Sequence, residues 1–230
     1  NYHINGNNIK QTADINNMKN ELYLFSSTSE FAQENTGLNK KIQFYRENIM
    51  YGRGNSKQEK NEIFNFKTKG HPKSWEIRII EKSLNIVWFR ENAPKMEKIS
   101  KLVNISPGIC FIYSEYLDNG VYPMAVALEL QGYTMAYIDG DELKYKSILD
   151  EEYKEKHKSE IKHIGHYVML TGGVSDSQLM KLVNEVKGIG ESGIPNKNGE
   201  HIKVVLGSSK LEVGFSLWNV RQIHIMEPWY

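Results

Sequence analysis

The sequence predicts an α/β fold built on a parallel sheet, and three observations carry that prediction. A short apolar run, a turn and then apolar residues at helical spacing occur twice, over 109–130 and 166–187, and this is the repeating unit of a parallel sheet. Two further apolar, β-branched runs, at 202–206 and 221–226, flank a Gly- and Ser-rich loop, as two buried parallel strands joined by a functional loop do. Small or hydroxyl residues stand at the carboxyl ends of these runs: Ser114, Thr171 with Gly172, and Gly207 with Ser208. Ligands of open parallel sheets bind at those ends.

Bulk properties set the frame. At 230 residues the chain exceeds one typical domain of roughly 100–200 residues, which predicts an arm over 1–104 and one α/β domain over 105–230. A formal charge of +1 argues against a wholly basic surface, while a local nucleic-acid groove depends on where charges sit rather than on their sum. The one cysteine, Cys110, excludes an intramolecular disulfide and fits a reducing compartment. No apolar run approaches the ~20 residues of a membrane span, and the polar start at Asn1 has no signal-peptide core. An intracellular, soluble protein without a membrane partner is expected. The chain starts without Met and stops inside a motif, so a piece of something longer is expected.

In chain order, residues 1–20 are Asn-rich and aperiodic and predict a lead-in. From 18 to 65 Leu22, Phe25, Ile42, Tyr45 and Ile49 recur at three- and four-residue spacings, which predicts a mainly helical arm, with an exposed turn over 52–62. Residues 74–89 cluster Trp75, Ile77, Ile79, Ile86 and Trp88 and predict one or two strands. Asn92, Ala93 and Pro94 predict a helix start, with Asn92 as cap and Met96, Ile99, Leu102 and Val103 on its inner face. Ile109–Tyr113 is the first strand of the domain, and 117–130 a helix stopped at Gly132. Residues 134–138 predict a second strand, 141–162 a solvated, charge-paired helix, and 166–170 a third strand. A helix over 175–187 and a Gly-, Pro- and Asn-rich loop over 188–199 lead to the run at 202.

The last stretch, GSSKLEVGFSLWNVRQIHIMEPWY, resembles motif V of superfamily-two helicases, in the version found in helicase-like ATPases of large DNA viruses. The positions that carry the resemblance are Gly207, Ser208, Gly214, Ser216, Asn219, Val220, Arg221, His224, Pro228, Trp229 and Tyr230. Two other stretches agree. CFIYSEYLDNG, over 110–120, resembles motif IV, and LTG, over 170–172, resembles the phosphate-contacting strand end that precedes motif V; Pro94-Lys95 matches the helix that introduces the second RecA-like domain.

The resemblance implies that 105–230 is a RecA-like parallel sheet with helices on both faces, the second such domain of an ATP-dependent helicase or translocase. It implies nucleic-acid contacts by Ser114, Gly120, Thr171, Gly172, Ser208 and Ser209, and ATP contacts by Gly214 and Ser216. The implied partners are a single strand of DNA or RNA and the first RecA-like domain of the same parent protein. ATP and Mg2+ would be held mainly by that first domain, and no residue here is expected to be catalytic. A Gly and a small hydroxyl residue at a helix N-terminus let backbone amides reach a phosphate, and such contacts hold the backbone without reading sequence. Two positions depart from the family. Val213 stands where Glu is common, and Ser216 where Asp is common; a hydroxyl can bond a ribose but offers no charged acceptor. The family also places an arginine-finger helix shortly after the Pro-Trp-Tyr ending, which is expected beyond Tyr230.

Other readings remain open on the residues alone: a non-catalytic α/β binding or interaction module, or a nucleotide-sugar transferase-like domain. The run Gly188-Ile189-Gly190-Glu191-Ser192-Gly193 satisfies GxGxxG, but it follows a helix rather than a strand and so predicts no dinucleotide site. There is no GxxxxGK[ST] phosphate loop in the chain. His163 and His166 lack acidic or Cys partners at ligand spacing, so no metal is expected, and Cys110 and His224 are expected to be packing residues.

Overall fold

The computed structural model describes residues 64–67, 70–80, 83–208 and 216–226. The arm before residue 64, the turn at 52–62, Ser209, Gly214 and the Pro228-Trp229-Tyr230 ending lie outside the described residues.

The apolar runs of the second half become one six-stranded sheet. Its strands are β3 (Ile109–Tyr113), β4 (Tyr133–Asp139), β5 (Glu142–Lys146), β6 (Gly165–Leu170), β7 (Ile202–Gly207) and β8 (Val220–Ile225), in the order β5-β4-β6-β7-β3-β8. Every pair is parallel except β4–β5, so the four strands expected as parallel neighbours are contiguous. Tyr167 to Leu170 and Val204 to Gly207 are buried without alternation, as happens when both faces of a parallel sheet are covered. This is an α/β, RecA-like arrangement. The crossovers are α3 (Tyr122–Glu129), α4 (Glu151–His157) and α5 (Asp176–Lys187). Before the sheet come a two-stranded antiparallel unit, β1 (Phe64–Lys67) and β2 (Glu76–Ile79), and two helices, α1 (Ile86–Asn92) and α2 (Pro94–Ile105). Trp75, Ile77, Phe89, Met96 and Val103 from these share one core with the sheet strands. Lys146 Nζ bonds the carbonyls of Lys73 (2.8 Å) and Trp75 (2.5 Å), and the Ile77 amide bonds the Ile148 carbonyl, tying β2 to the β5 side of the sheet.

Four local expectations are corrected. Among the described residues of 74–89 only Glu76–Ile79 is strand, while Ile86 onward is helix. A continuous apolar run fits either state, and the Asn85 side chain decides by accepting from the amides of Val87 (2.9 Å) and Trp88 (3.0 Å). Asn92 is not the cap of α2. It closes α1, bonding the Trp88 carbonyl at 2.9 Å, and the capping position falls to Ala93, with Pro94 in the first turn. The expected helix over 141–162 is shorter: Glu142–Lys146 turns back antiparallel on β4, with Asp139 paired to Glu142 and Gly140 at φ +65 in the two-residue link. Finally, β8 is an edge strand, not a buried one, with Ile223 66% and Ile225 59% exposed.

The run 188–193 closes a helix, as its position predicts. Gly188 caps α5 at φ +72, the Ser192 backbone amide and hydroxyl bond the buried Glu185 carboxylate, and a Cβ at Gly190 would lie 2.2 Å from that carboxylate. Asn196 then fixes the entry to β7. Its amide nitrogen bonds the carbonyls of Val186 (2.9 Å) and Ile202 (3.0 Å), and its oxygen accepts from His201 (3.0 Å) and Ile202 (2.9 Å). All four polar valences of a buried amide are thus used.

At the amino end of the sheet Tyr145 stacks on His166 with 4.1 Å between ring centroids, and His163 and His201 stand 4.7 and 6.1 Å from His166. Burial, then the neighbouring His163 and His201, pushes the His166 imidazolium down to about 4. A folded value below the unfolded one near 6.5 means stability present above pH 6.5 and lost as the pH falls toward about 4. His166→Gln should therefore lose less stability than the wild type between pH 6.5 and 4 in urea titrations; equal losses would contradict this geometry.

Candidate nucleic-acid interface

The register of the central strands sets the carboxyl edge. Leu170 of β6 and Tyr113 of β3 both pair with Gly207 of β7. Thr171, Ser208 and Ser114, the next residue on each strand, therefore stand at one level on three adjacent strands, and the Ser114 amide bonds the Gly207 carbonyl at 3.1 Å. Gly172 follows Thr171 in the turn into α5, where a Cβ would meet nothing within 4 Å. Ser175 caps that helix with a capping box closed by Gln178. The exposed backbone of Gly172 and Gly173 thus lies just ahead of a helix N-terminus.

The hydroxyl side chains are less open than their position suggests. Ser114, Thr171 and Ser208 are 1%, 0% and 3% exposed. The Ser114 hydroxyl is engaged in its own turn, donating to the Tyr116 carbonyl (3.0 Å) and accepting from the Tyr116 amide (3.2 Å). Thr171 differs: its hydroxyl is buried and has no hydrogen-bond partner among the described residues. An unsatisfied buried hydroxyl costs on the order of 1–3 kcal/mol. Trp75 packs beside it, so close that a Cβ on Gly173 would stand 2.9 Å from the indole.

The remaining sequence-derived residues are more scattered. Gly120 is buried in a π-turn, Leu117–Val121, between β3 and α3. Ser216 is exposed and lies on the segment leading to the amino end of β8, away from the level of Ser208. Ser209 and Gly214 fall outside the described residues. Asn219 takes φ +60, a conformation that Asn tolerates better than most side chains, and it turns the chain into β8. Arg221 runs over Gly108, where a Cβ would lie 2.4 Å from the arginine stem. His224 is half-buried beside Gln222 at 3.2 Å, and burial lowers its pKa. Cys110 is buried in β3 and burial raises its thiol pKa, so it stays a packing residue. Among the described residues no group of three His, Cys, Asp or Glu could hold a metal, and no helix is long and apolar enough to cross a membrane.

Sequence reasoning missed the docking of Trp75 over the carboxyl edge, which brings together residues about a hundred positions apart and has no local signal. It also missed the β4–β5 hairpin, for which Asp139-Gly140 was a readable turn signal.

Replacing Thr171 by Val removes a hydroxyl that bonds nothing, so folding stability should change by less than about 1 kcal/mol. Ser114→Ala, which opens a bonded turn, should cost about 1 kcal/mol in the same denaturant titration. A large loss for Thr171→Val would show that its hydroxyl has a structural partner.

Comparison with known proteins gives a consistent set of relatives. The chain is 28% identical over 158 residues to a termination factor NPH-I homologue of African swine fever virus, covering 62% of this chain and 22% of that protein. It is 25% identical over 188 residues to a protein of Acanthamoeba polyphaga mimivirus named, provisionally, as an ATP-dependent RNA helicase, covering 80% of this chain and 32% of the relative. A second mimivirus protein of the same provisional name is 25% identical over 153 residues, covering 66% and 22%. The chain thus spans between about a fifth and a third of the length of these relatives. No family model matches, and no solved structure matches. The relatives agree with the resemblance read from the sequence: this chain is similar, along most of its length, to a helicase-like segment of proteins of large DNA viruses.

Proposed function

We propose that this chain is the second RecA-like part, with its connecting arm, of an ATP-dependent helicase or translocase, and that its carboxyl edge grips the sugar–phosphate backbone of one nucleic-acid strand. The observation that supports this reading most is the alignment of Thr171, Ser208 and Ser114 on adjacent strands beside the open Gly172 turn. Backbone amides of Gly172 and Gly173 ahead of a helix N-terminus suit a phosphate, and the unpartnered Thr171 hydroxyl gains a bond if a phosphate oxygen reaches it. Ser208 continues the same edge, and Ser209, next in the sequence, is assigned to the same contact. Gly120, in the turn after β3, is assigned to the same contact. Gly214 and Ser216 serve the ATP side of this reading.

Nucleotide chemistry here is shared with another domain. The chain contains no phosphate loop, and the described residues offer no cluster for Mg2+. ATP with its Mg2+ would supply the energy for movement, and this chain would close on the nucleotide that a first RecA-like domain holds. The residues present fit gripping better than hydrolysis.

Thr171→Val and Ser208→Ala in the full-length parent protein should each weaken single-strand binding several-fold, about equally for all base sequences. The 230-residue chain by itself should show no ATP turnover with nucleic acid present. Loss confined to one base sequence would overturn the backbone role, and turnover by the isolated chain would overturn the division of labour.

A further inference from the structure

A second feature lies at the opposite end of the sheet. Between the start of β4, the β5–α4 link and α4 is a cavity of about 200 Å³ bordered by Glu129, Tyr133, Leu149, Ile161, Lys154 and Lys158. It sits beside Gly132, the first residues of β4 (Tyr133 and Thr134) and His163, just ahead of β6, whereas Thr171 follows β6. A six-residue strand, roughly 20 Å of chain, separates the two ends. The cavity is therefore separate from the backbone grip proposed at the carboxyl edge.

We propose that this cavity binds a small organic anion about the size of one ring, its apolar body against Leu149, Ile161 and Tyr133 and its charged group at the mouth between Lys154 and Lys158. The volume supports the size, since a protein cavity of about 150 Å³ is enough for benzene. Charge supports the sign. Lys154 and Lys158 are one helical turn apart, and their present partners, Glu151 and Glu155, are 83% and 73% exposed. Exposed ion pairs of this kind contribute about 0–1 kcal/mol, so a ligand anion can replace them at little cost.

The floor does not suit a cation. The Glu129 carboxyl is almost fully buried and already accepts from the Ser147 hydroxyl (2.5 Å), the Ile148 amide (3.1 Å) and the Tyr167 hydroxyl (3.0 Å). Burial pushes it up to about 7 against these three bonds and the nearby Lys154. The groups that face it are Tyr167 from β6, Ser147 from the β5–α4 link, Lys146 from β5 and Lys154 from α4. An anion in the cavity opposes ionisation of Glu129, so affinity should fall as the pH rises through about 7. Glu129→Gln keeps an acceptor for the amide and the phenol while removing the ionisable carboxyl.

The test is calorimetric titration of the 230-residue chain with benzoate at pH 6 and pH 8, and with benzyl alcohol as the uncharged probe. Saturable benzoate binding is expected, weakened roughly five- to tenfold at pH 8, the size of a shift of up to about one pK unit. The pH dependence should shrink in Glu129→Gln. Lys158→Glu changes a 78% exposed side chain and should fold normally by circular dichroism while losing at least about fivefold in benzoate affinity. Three results would overturn the proposal: no saturation below about 10 mM, equal binding of benzyl alcohol, or benzoate binding unchanged in Lys158→Glu.

Discussion

The register of β7 between β6 and β3 is the constraint on which the rest depends. Gly207 pairs with Leu170 on one side and Tyr113 on the other, and a slip of one residue on either side would turn Thr171 or Ser114 to the opposite face. Asn196 supports that register from the other end by joining the last turn of α5 to the first residue of β7. The proposed site is thus positioned by backbone pairing, and its small residues suit an edge proposed to let another backbone approach.

The two ends of the sheet have opposite chemistry. The carboxyl end presents hydroxyls, glycines and a helix N-terminus, with little titratable charge among them. The amino end gathers His163, His166, His201 and Tyr145, with Glu129 close by under α4. His166 and Glu129 are shifted in opposite directions, yet for the same reason, since burial disfavours the charged form of each. Their contributions to stability oppose one another with pH: that of His166 is lost in acid, and that of Glu129 as the pH rises through about 7. The sheet therefore separates a region that responds to pH from the edge proposed to hold nucleic acid.

Much of this was legible in the sequence because strand runs and their terminal residues are local signals. The four parallel strands, a helix over 175–187 and the rejection of the Gly188 run as a dinucleotide motif all followed from short patterns. The errors came where a local pattern fits two states. Ile86 to Phe89 is apolar throughout and fits strand or buried helix, and the charged stretch after Asp141 hid a hairpin strand whose pairing is with β4. The burial of Thr171 was not legible, because Trp75, which covers that end, belongs to the arm and reaches the edge only in three dimensions. Of the candidate site, positions along the sheet edge could be read, and side-chain exposure could not.

The most direct test of the central claim is amide hydrogen exchange on the full-length parent protein with and without a single-stranded oligonucleotide. The account predicts slowed exchange at Gly172, Gly173 and Ser208, the amides at the carboxyl edge, with the histidine end of the sheet unchanged. Protection at another face, with the Gly172 turn exchanging as before, would contradict it.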